Sequence, residues 1–276
     1  MCNLTDSSHQ VQASSKSPLV SWVLCADVLD EQLWEALASC FSQSFSNFEC
    51  IVVANGDDAE EIEKSVKGWF GKDVRLRVFV TKIKHLTFSL SLGLHHARGE
   101  LIARMDGDDF ALPDRLLRQV NFMTANPNVT VLGSDYEFID AEGQSLKLVK
   151  MPKDDISIRK ELLKANPFCH PSVMYRRQNV MNIGGYLGGT YAQDYDLWCR
   201  LALDPTVVFA NLPTVCLRYR VSSGGRARRA QWAYASMAGA QFRNFVAGAG
   251  WAWLLASVIS ATKVFIRADP SNKTGN

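Results

Sequence analysis

Three carboxylates set around one glycine, Asp106-Gly107-Asp108-Asp109, follow the apolar run Leu101-Ile102-Ala103-Arg104-Met105. An apolar run broken by charge reads as a buried strand reaching the edge of its sheet. Open α/β sheets bind ligands beyond the carboxyl ends of their strands. Acids this close repel one another unless a cation neutralises them, and hard oxygen ligands suit Mg²⁺ or Mn²⁺. Asp106 and Asp108 are the expected ligands, with Gly107 supplying a tight turn that lets both address one ion. Such an ion is commonly shared with substrate phosphates. The bland alternative is a solvated acidic turn; the strand in front and the segments downstream speak against it.

A second candidate is Gln193-Asp194-Tyr195-Asp196-Leu197-Trp198. Asp194 opens a helical pattern, where a carboxylate also makes a good N-cap, so the local residues leave capping and chemistry level. His170 reads equally as pocket lining or as a buried imidazole satisfied by backbone. Arg104 shares a strand face with Ile102 and Asp106, within reach of a phosphate or of a neighbouring carboxylate.

These residues need a scaffold, and the chain supplies one of α/β type. Apolar runs at 20–24, 50–54, 76–81, 101–106, 129–136 and 207–211 alternate with helical patterns at 31–42, 59–69, 90–97, 115–125, 156–165 and 194–202. That alternation predicts a mostly parallel central sheet flanked by helices.

The order of segments resembles family 2 of the inverting glycosyltransferases, of the bacterial envelope and extracellular polysaccharide type. The match runs from about Val20 to Tyr219: the first strand, Phe45-Ser46-Asn47-Phe48-Glu49, the acidic motif, Leu112-Pro113-Asp114-Arg115-Leu116 with Gln119, Asn166 to Met174, Gly184-Gly185-Tyr186, the Asp194 segment and Leu217-Arg218-Tyr219-Arg220. The resemblance implies a GT-A fold for nucleotide-diphospho-sugar transfer, a bound Mn²⁺ or Mg²⁺, and a nucleotide-diphosphate sugar donor. It implies a saccharide or lipid-linked acceptor, with Asp194 as the base that takes the acceptor hydroxyl's proton. It places Cys25, Asp27, Asn55, Arg104 and Asp106 at the nucleotide, and His170, Gln193 and Asp109 at the acceptor.

Two stretches depart from that pattern. The paired aspartates that usually end the second strand are Ala54-Asn55 here, and the first strand runs into Cys25-Ala26-Asp27-Val28 instead of Pro-x-Tyr-Asn. Both fall on the base pocket, which leaves open a non-catalytic relative that binds a nucleotide sugar or a partner. A related-fold nucleotidyltransferase would want a glycine-rich basic loop after the first strand, and that stretch is acidic.

With 30 basic and 28 acidic side chains in 276 residues, the charge balance argues against nucleic acid as a partner. Seven scattered cysteines make no disulfide framework or metal spacing and suit a reducing cytoplasm. Residues 1–18 read as a disordered lead-in, 19–221 as the catalytic domain, and 222–276 as a basic and apolar helical extension. The extension carries Arg226, Arg228 and Arg229 after Arg218 and Arg220, then an uncharged run at 245–262. That run falls short of the roughly 20 apolar residues of a spanning helix. It predicts an interfacial helix with Trp251 and Trp253 at headgroup depth, peripheral on the inner face of the cell membrane. The alternatives are packing on the catalytic domain or against a second copy in a homodimer.

Overall fold

The structure, a computed structural model, describes residues 17–221 and 226–266. Most of the expected lead-in, the Ser222-Ser223-Gly224-Gly225 break and Arg267 lie outside the described residues, as do the side chains of Arg226, Arg228 and Arg229. In chain order the elements are β1 (Val20–Ala26), α1 (Glu31–Phe41), β2 (Phe48–Asn55), α2 (Ala59–Phe70), β3 (Leu76–Thr81), α3 (Leu86–His96) and β4 (Leu101–Asp106). There follow β5 (Phe110–Ala111), α4 (Arg115–Ala125), β6 (Val129–Ile139), β7 (Ser145–Val149), α5 (Asp155–Leu162) and a 3₁₀ turn (His170–Ser172). The chain continues through β8 (Met174–Arg176), α6 (Arg177–Asn182), α7 (Gln193–Leu201), β9 (Val208–Arg220), α8 (Arg226–Val246) and α9 (Trp251–Ile266).

One nine-stranded sheet runs β3-β2-β1-β4-β8-β6-β9-β5, with β7 added to β6. Strands β3, β2, β1 and β4 are parallel, as the alternation predicted. Beyond β4 the sheet is mixed: β8 is antiparallel to β4 and β6, and β6 is parallel to β9.

Strand alternation sorts the parallel half between two cores. Trp22, Leu24, Cys50, Val52, Ala103 and Met105 face α1, α2 and α4, whereas Val23, Ile51, Val53 and Ile102 face α3 and α7. Arg104 keeps the parity of Ile102 and therefore points to the α7 side. Gly93 sets how closely α3 approaches, because a Cβ there would lie 2.6 Å from Val23 Cγ1. Overpacking of that kind costs about 1–3 kcal/mol.

The extension departs from expectation. The uncharged run is not one helix: α8 ends at Val246, and Gly248 (φ +89°) and Gly250 (φ +101°) reverse the chain into α9. α8 packs on α7, where Gln241 Nε2 donates to Tyr195 Oη at 2.8 Å and Asn244 Nδ2 donates to Cys199 O at 2.7 Å. Trp253 is half-buried against the α7-side core, while Trp251 is exposed. No helix among the described residues is long and apolar enough to cross a membrane.

Candidate active site

β4 delivers the acidic motif to the carboxyl edge of the parallel strands. Carboxylate oxygens of Asp106, Asp108 and Asp109 lie within 4.8 Å of one another. Asp108 stands exposed as a residue, yet its carboxyl is crowded by protein and lies beside Asp106, which together push it up to about 6. Asp109 is buried; burial and then the Asp106 and Asp108 charges raise it well above the carboxylate range. Its Oδ1 accepts from the Arg220 backbone N–H at 2.9 Å, and its Oδ2 has no partner. A buried orphan oxygen amid like charges is what a divalent cation would complete, so the donor set fits a hard metal.

Gly107 stands in the turn as expected, at a φ outside the positive region, and a Cβ there would meet Leu33 Cδ1 at 3.4 Å and Cys25 O at 3.7 Å, both ordinary contacts. The turn is held by Arg220, whose Nε donates to Asp108 O at 2.9 Å and whose Nη2 donates to Glu35 at 2.6 Å. Arg220 is thus internal and does not supply the lipid-facing charge that the sequence suggested, whereas Arg218 stays exposed while pairing with Glu137 at 3.0 Å.

Beside the motif lies a cavity of about 610 Å³ lined by the ends of β1, β2 and β4 and by the β3–α3 connection. Cys25, Asp27, Asn55 and Asp106, four of the five residues that the resemblance places at the nucleotide, line it together. Gly56 (φ +93°) turns the chain out of β2 just after Asn55. Asn55 Nδ2 donates to Ala26 O at 2.9 Å, which locks the amide between the two strand ends. Lys84, His85, Thr190 and Tyr191 also line the cavity and carried no sequence signal beyond their type; Lys84 pairs with Asp27 at 3.3 Å.

Arg104 is not in the cavity wall. It is 1% exposed, pairs with Asp106, and its Nε has no partner. Burial alone would lower its pKa, but the Asp106 carboxylate raises it, so the guanidinium stays charged. Its field reaches Asp194 and His170 as well as the acidic motif. Arg115 holds the strand beneath: it lies 4.6 Å over the Trp22 ring and its Nη2 donates to Arg104 O at 2.8 Å.

Asp194, Gln193, His170 and Asp109 are buried and are not among the cavity's lining residues. Asp194 is not the helix cap: Ala192 holds that position, the one non-glycine residue with positive φ (+54°) among those described. Burial pushes the Asp194 carboxyl up, while the Tyr195 N–H and the Asn166 amide, which donates to Oδ2, hold it back. Asn166 fell within a quoted motif without showing this role. His170 Nε2 meets Tyr186 Oη at 3.0 Å, and burial followed by the Arg104 charge keeps the imidazole neutral. The 186–191 segment links the two regions: Ser91 Oγ donates to Tyr186 O and Thr87 Oγ1 to Gly189 O, both at 3.1 Å, before Thr190 and Tyr191 reach the cavity.

Residues 28–184 match the family described as Glycosyl transferase family 2. The O-antigen biosynthesis glycosyltransferase WbnJ of Escherichia coli is 31% identical over 83% of this chain and 89% of its own. An E. coli UDP-Gal:alpha-D-GlcNAc-diphosphoundecaprenol beta-1,3-galactosyltransferase is 26% identical over 95% and 96%. Among solved structures, the mannosyltransferase PcManGT of Pyrobaculum calidifontis, in complex with GDP-Man and Mn²⁺, superposes with a TM-score of 0.63 at 18% identity, covering 95% of this chain and 77% of that one. Fold and acidic edge together define a GT-A glycosyltransferase. The chain belongs to glycosyl transferase family 2.

Proposed function

We propose that this chain moves a sugar from a nucleotide-diphosphate donor to a hydroxyl of a saccharide or lipid-linked acceptor, inverting the anomeric carbon, in the synthesis of an envelope polysaccharide. The observation that carries this reading is the cluster of three carboxylates within 4.8 Å beside a cavity large enough for a nucleotide. The names of the E. coli relatives support the acceptor class. Asp106 and Asp108, with Asp109 nearby, would hold a divalent cation, Mn²⁺ or Mg²⁺. When bound, the cation supplies positive charge against which the departing diphosphate is stabilised.

The residues then divide the work. Cys25, Asp27 and Asn55 face the nucleotide, while Arg104 braces Asp106 from below. His170, Gln193 and Asp109 border the acceptor. The acceptor oxygen bonds to the anomeric carbon as the bond from that carbon to the diphosphate breaks, and the hydroxyl proton passes to the Asp194 carboxylate. Asn166 holds that carboxylate in place through its amide. Release of UDP or GDP from UDP-galactose, UDP-N-acetylglucosamine or GDP-mannose, with Mn²⁺ or EDTA, tests the reading. Cation-independent release removes the metal from the reading, whereas tight donor binding without release or transfer to any acceptor favours the non-catalytic alternative.

The proposal includes a peripheral seat on the inner face of the cell membrane. α9 exposes Trp251, Leu255, Val258 and Ile259 along one stripe, a spacing that lays an apolar face outward. Flotation with anionic vesicles at low salt, and release at high salt, is the expected result. Absence of flotation together with a dimeric mass assigns the stripe to a second copy.

A further inference from the structure

We propose that Arg243, in the C-terminal extension, is a positioning residue for the base Asp194, acting through Asp196 on the first turn of α7; this rests on the assignment of Asp194 made above. Asp196 lies one half-turn past Asp194 and is the hub of an ion triad. Its Oδ2 accepts from Arg200 Nε at 2.9 Å, and its Oδ1 accepts from Arg243 Nη1 on α8. Arg243 Nη2 also reaches Asp196 O at 3.5 Å, so the contact grips backbone as well as side chain. Arg200 extends the triad to the turn that precedes α7, donating to Ile183 O at 2.8 Å and to Gly185 O. Asp196 is largely buried, so removing one cation leaves a charge that water cannot fully solvate.

The backbone explains why α7 needs such a grip. Ala192, the residue just before Gln193 and Asp194, sits in the left-handed region at φ +54°, a conformation that a residue with a Cβ adopts only when its surroundings impose it. Gly188 presses on the same turn, where a Cβ would lie 2.8 Å from Gln193 Cα and 3.1 Å from Asp196 Cβ. Asp196 N donates to Ala192 O at 3.0 Å, so the strained residue is bonded directly to the hub. The triad holds a strained entry closed, and Asp194 stands on that entry. The α8–α9 extension is therefore part of the catalytic unit and no appendage beyond residue 221.

The test uses the full chain with Mn²⁺ and the fastest of UDP-galactose, UDP-N-acetylglucosamine and GDP-mannose, read as nucleotide release. Arg243→Met lowers kcat about 10-fold or more, since misplacement of a reacting group by about 1 Å can cost 10²-fold. The donor KM stays unchanged, and Arg243→Lys recovers most of the rate. Asp196→Asn reproduces the loss from the other side and carries the test alone if Arg243→Met does not fold. In an Asp194→Asn background, Arg243→Met adds no further loss, because residues acting as one unit are not additive. Losses that multiply, a donor KM that rises with the fall in kcat, or a wild-type rate in both Arg243→Met and Asp196→Asn overturn the proposal. A wild-type rate in Asp194→Asn overturns the base assignment itself, and the proposal falls with it.

Discussion

The acidic motif and the α7 entry both place carboxylates close to Arg104, and they are completed in opposite ways. At Asp106, Asp108 and Asp109 the negative charge exceeds what the protein supplies: Arg104 pairs with Asp106, yet a buried Asp109 oxygen has no partner. Asp194 instead is answered by neutral donors, a backbone N–H and the Asn166 amide. Net charge awaiting a cation suits a group that leaves with negative charge; a carboxylate held by amides is free to take a proton.

Several experiments break or sharpen that contrast. Asp108→Ala should abolish Mn²⁺-dependent donor binding, measured calorimetrically, with the melting temperature kept, because the residue is exposed at a sheet edge. Unchanged cation-dependent binding removes Asp108 as a ligand. Asp194→Asn should cut transfer by roughly 10²–10⁴-fold, the usual worth of a general base, while donor affinity holds. Because burial raises the Asp194 carboxyl, and a base works only when deprotonated, the wild-type rate should fall with decreasing pH at values above those of an exposed aspartate. A chain ending after Tyr234 should melt at least several degrees lower, since it loses the Gln241 and Asn244 bonds to α7, and a lost partner of a buried group costs about 1–3 kcal/mol.

The smallest effect concerns Asp108, raised from 3.8 to about 6. Between those values the folded state keeps a proton that the unfolded chain has released. Its contribution to stability is therefore full below the lower value and is lost as pH rises through the upper one. Mn²⁺ competes with that proton, so its gain in melting temperature should be larger at neutral pH than near pH 5, by on the order of a few degrees. An equal gain at both would show that Asp108 does not meet the ion.

The parallel half and the acidic motif were legible because their signals are local: apolar alternation, then abrupt charge. β9 was read only to Asn211, because Pro213 interrupts the run; the strand tolerates it with a register shift, Leu212 pairing with Ser134 and Val215 with Asp135. β8 is three residues long and β7 is five, with Leu146 and Leu148 exposed, so neither stands out in sequence as a buried apolar run. The base role proposed for Asp194 rests on the family resemblance, since its N-cap reading was locally as good; the structure removes that reading by placing Ala192 at the cap. The grip of Arg243 on Asp196 spans 47 positions, and nothing in either neighbourhood announces it.

The Arg220 clamp bears on when the site comes into being. It joins Asp109 to a residue 111 positions later and reaches back 185 positions to Glu35. Contacts this distant in sequence close late, after the loops between them have been ordered. A nascent chain that has not yet released β9 from the ribosome therefore lacks an organised acidic turn, and divalent ions have nothing native to select. Mn²⁺ should accordingly slow unfolding while leaving the refolding rate unchanged, as stopped-flow measurements in denaturant would reveal.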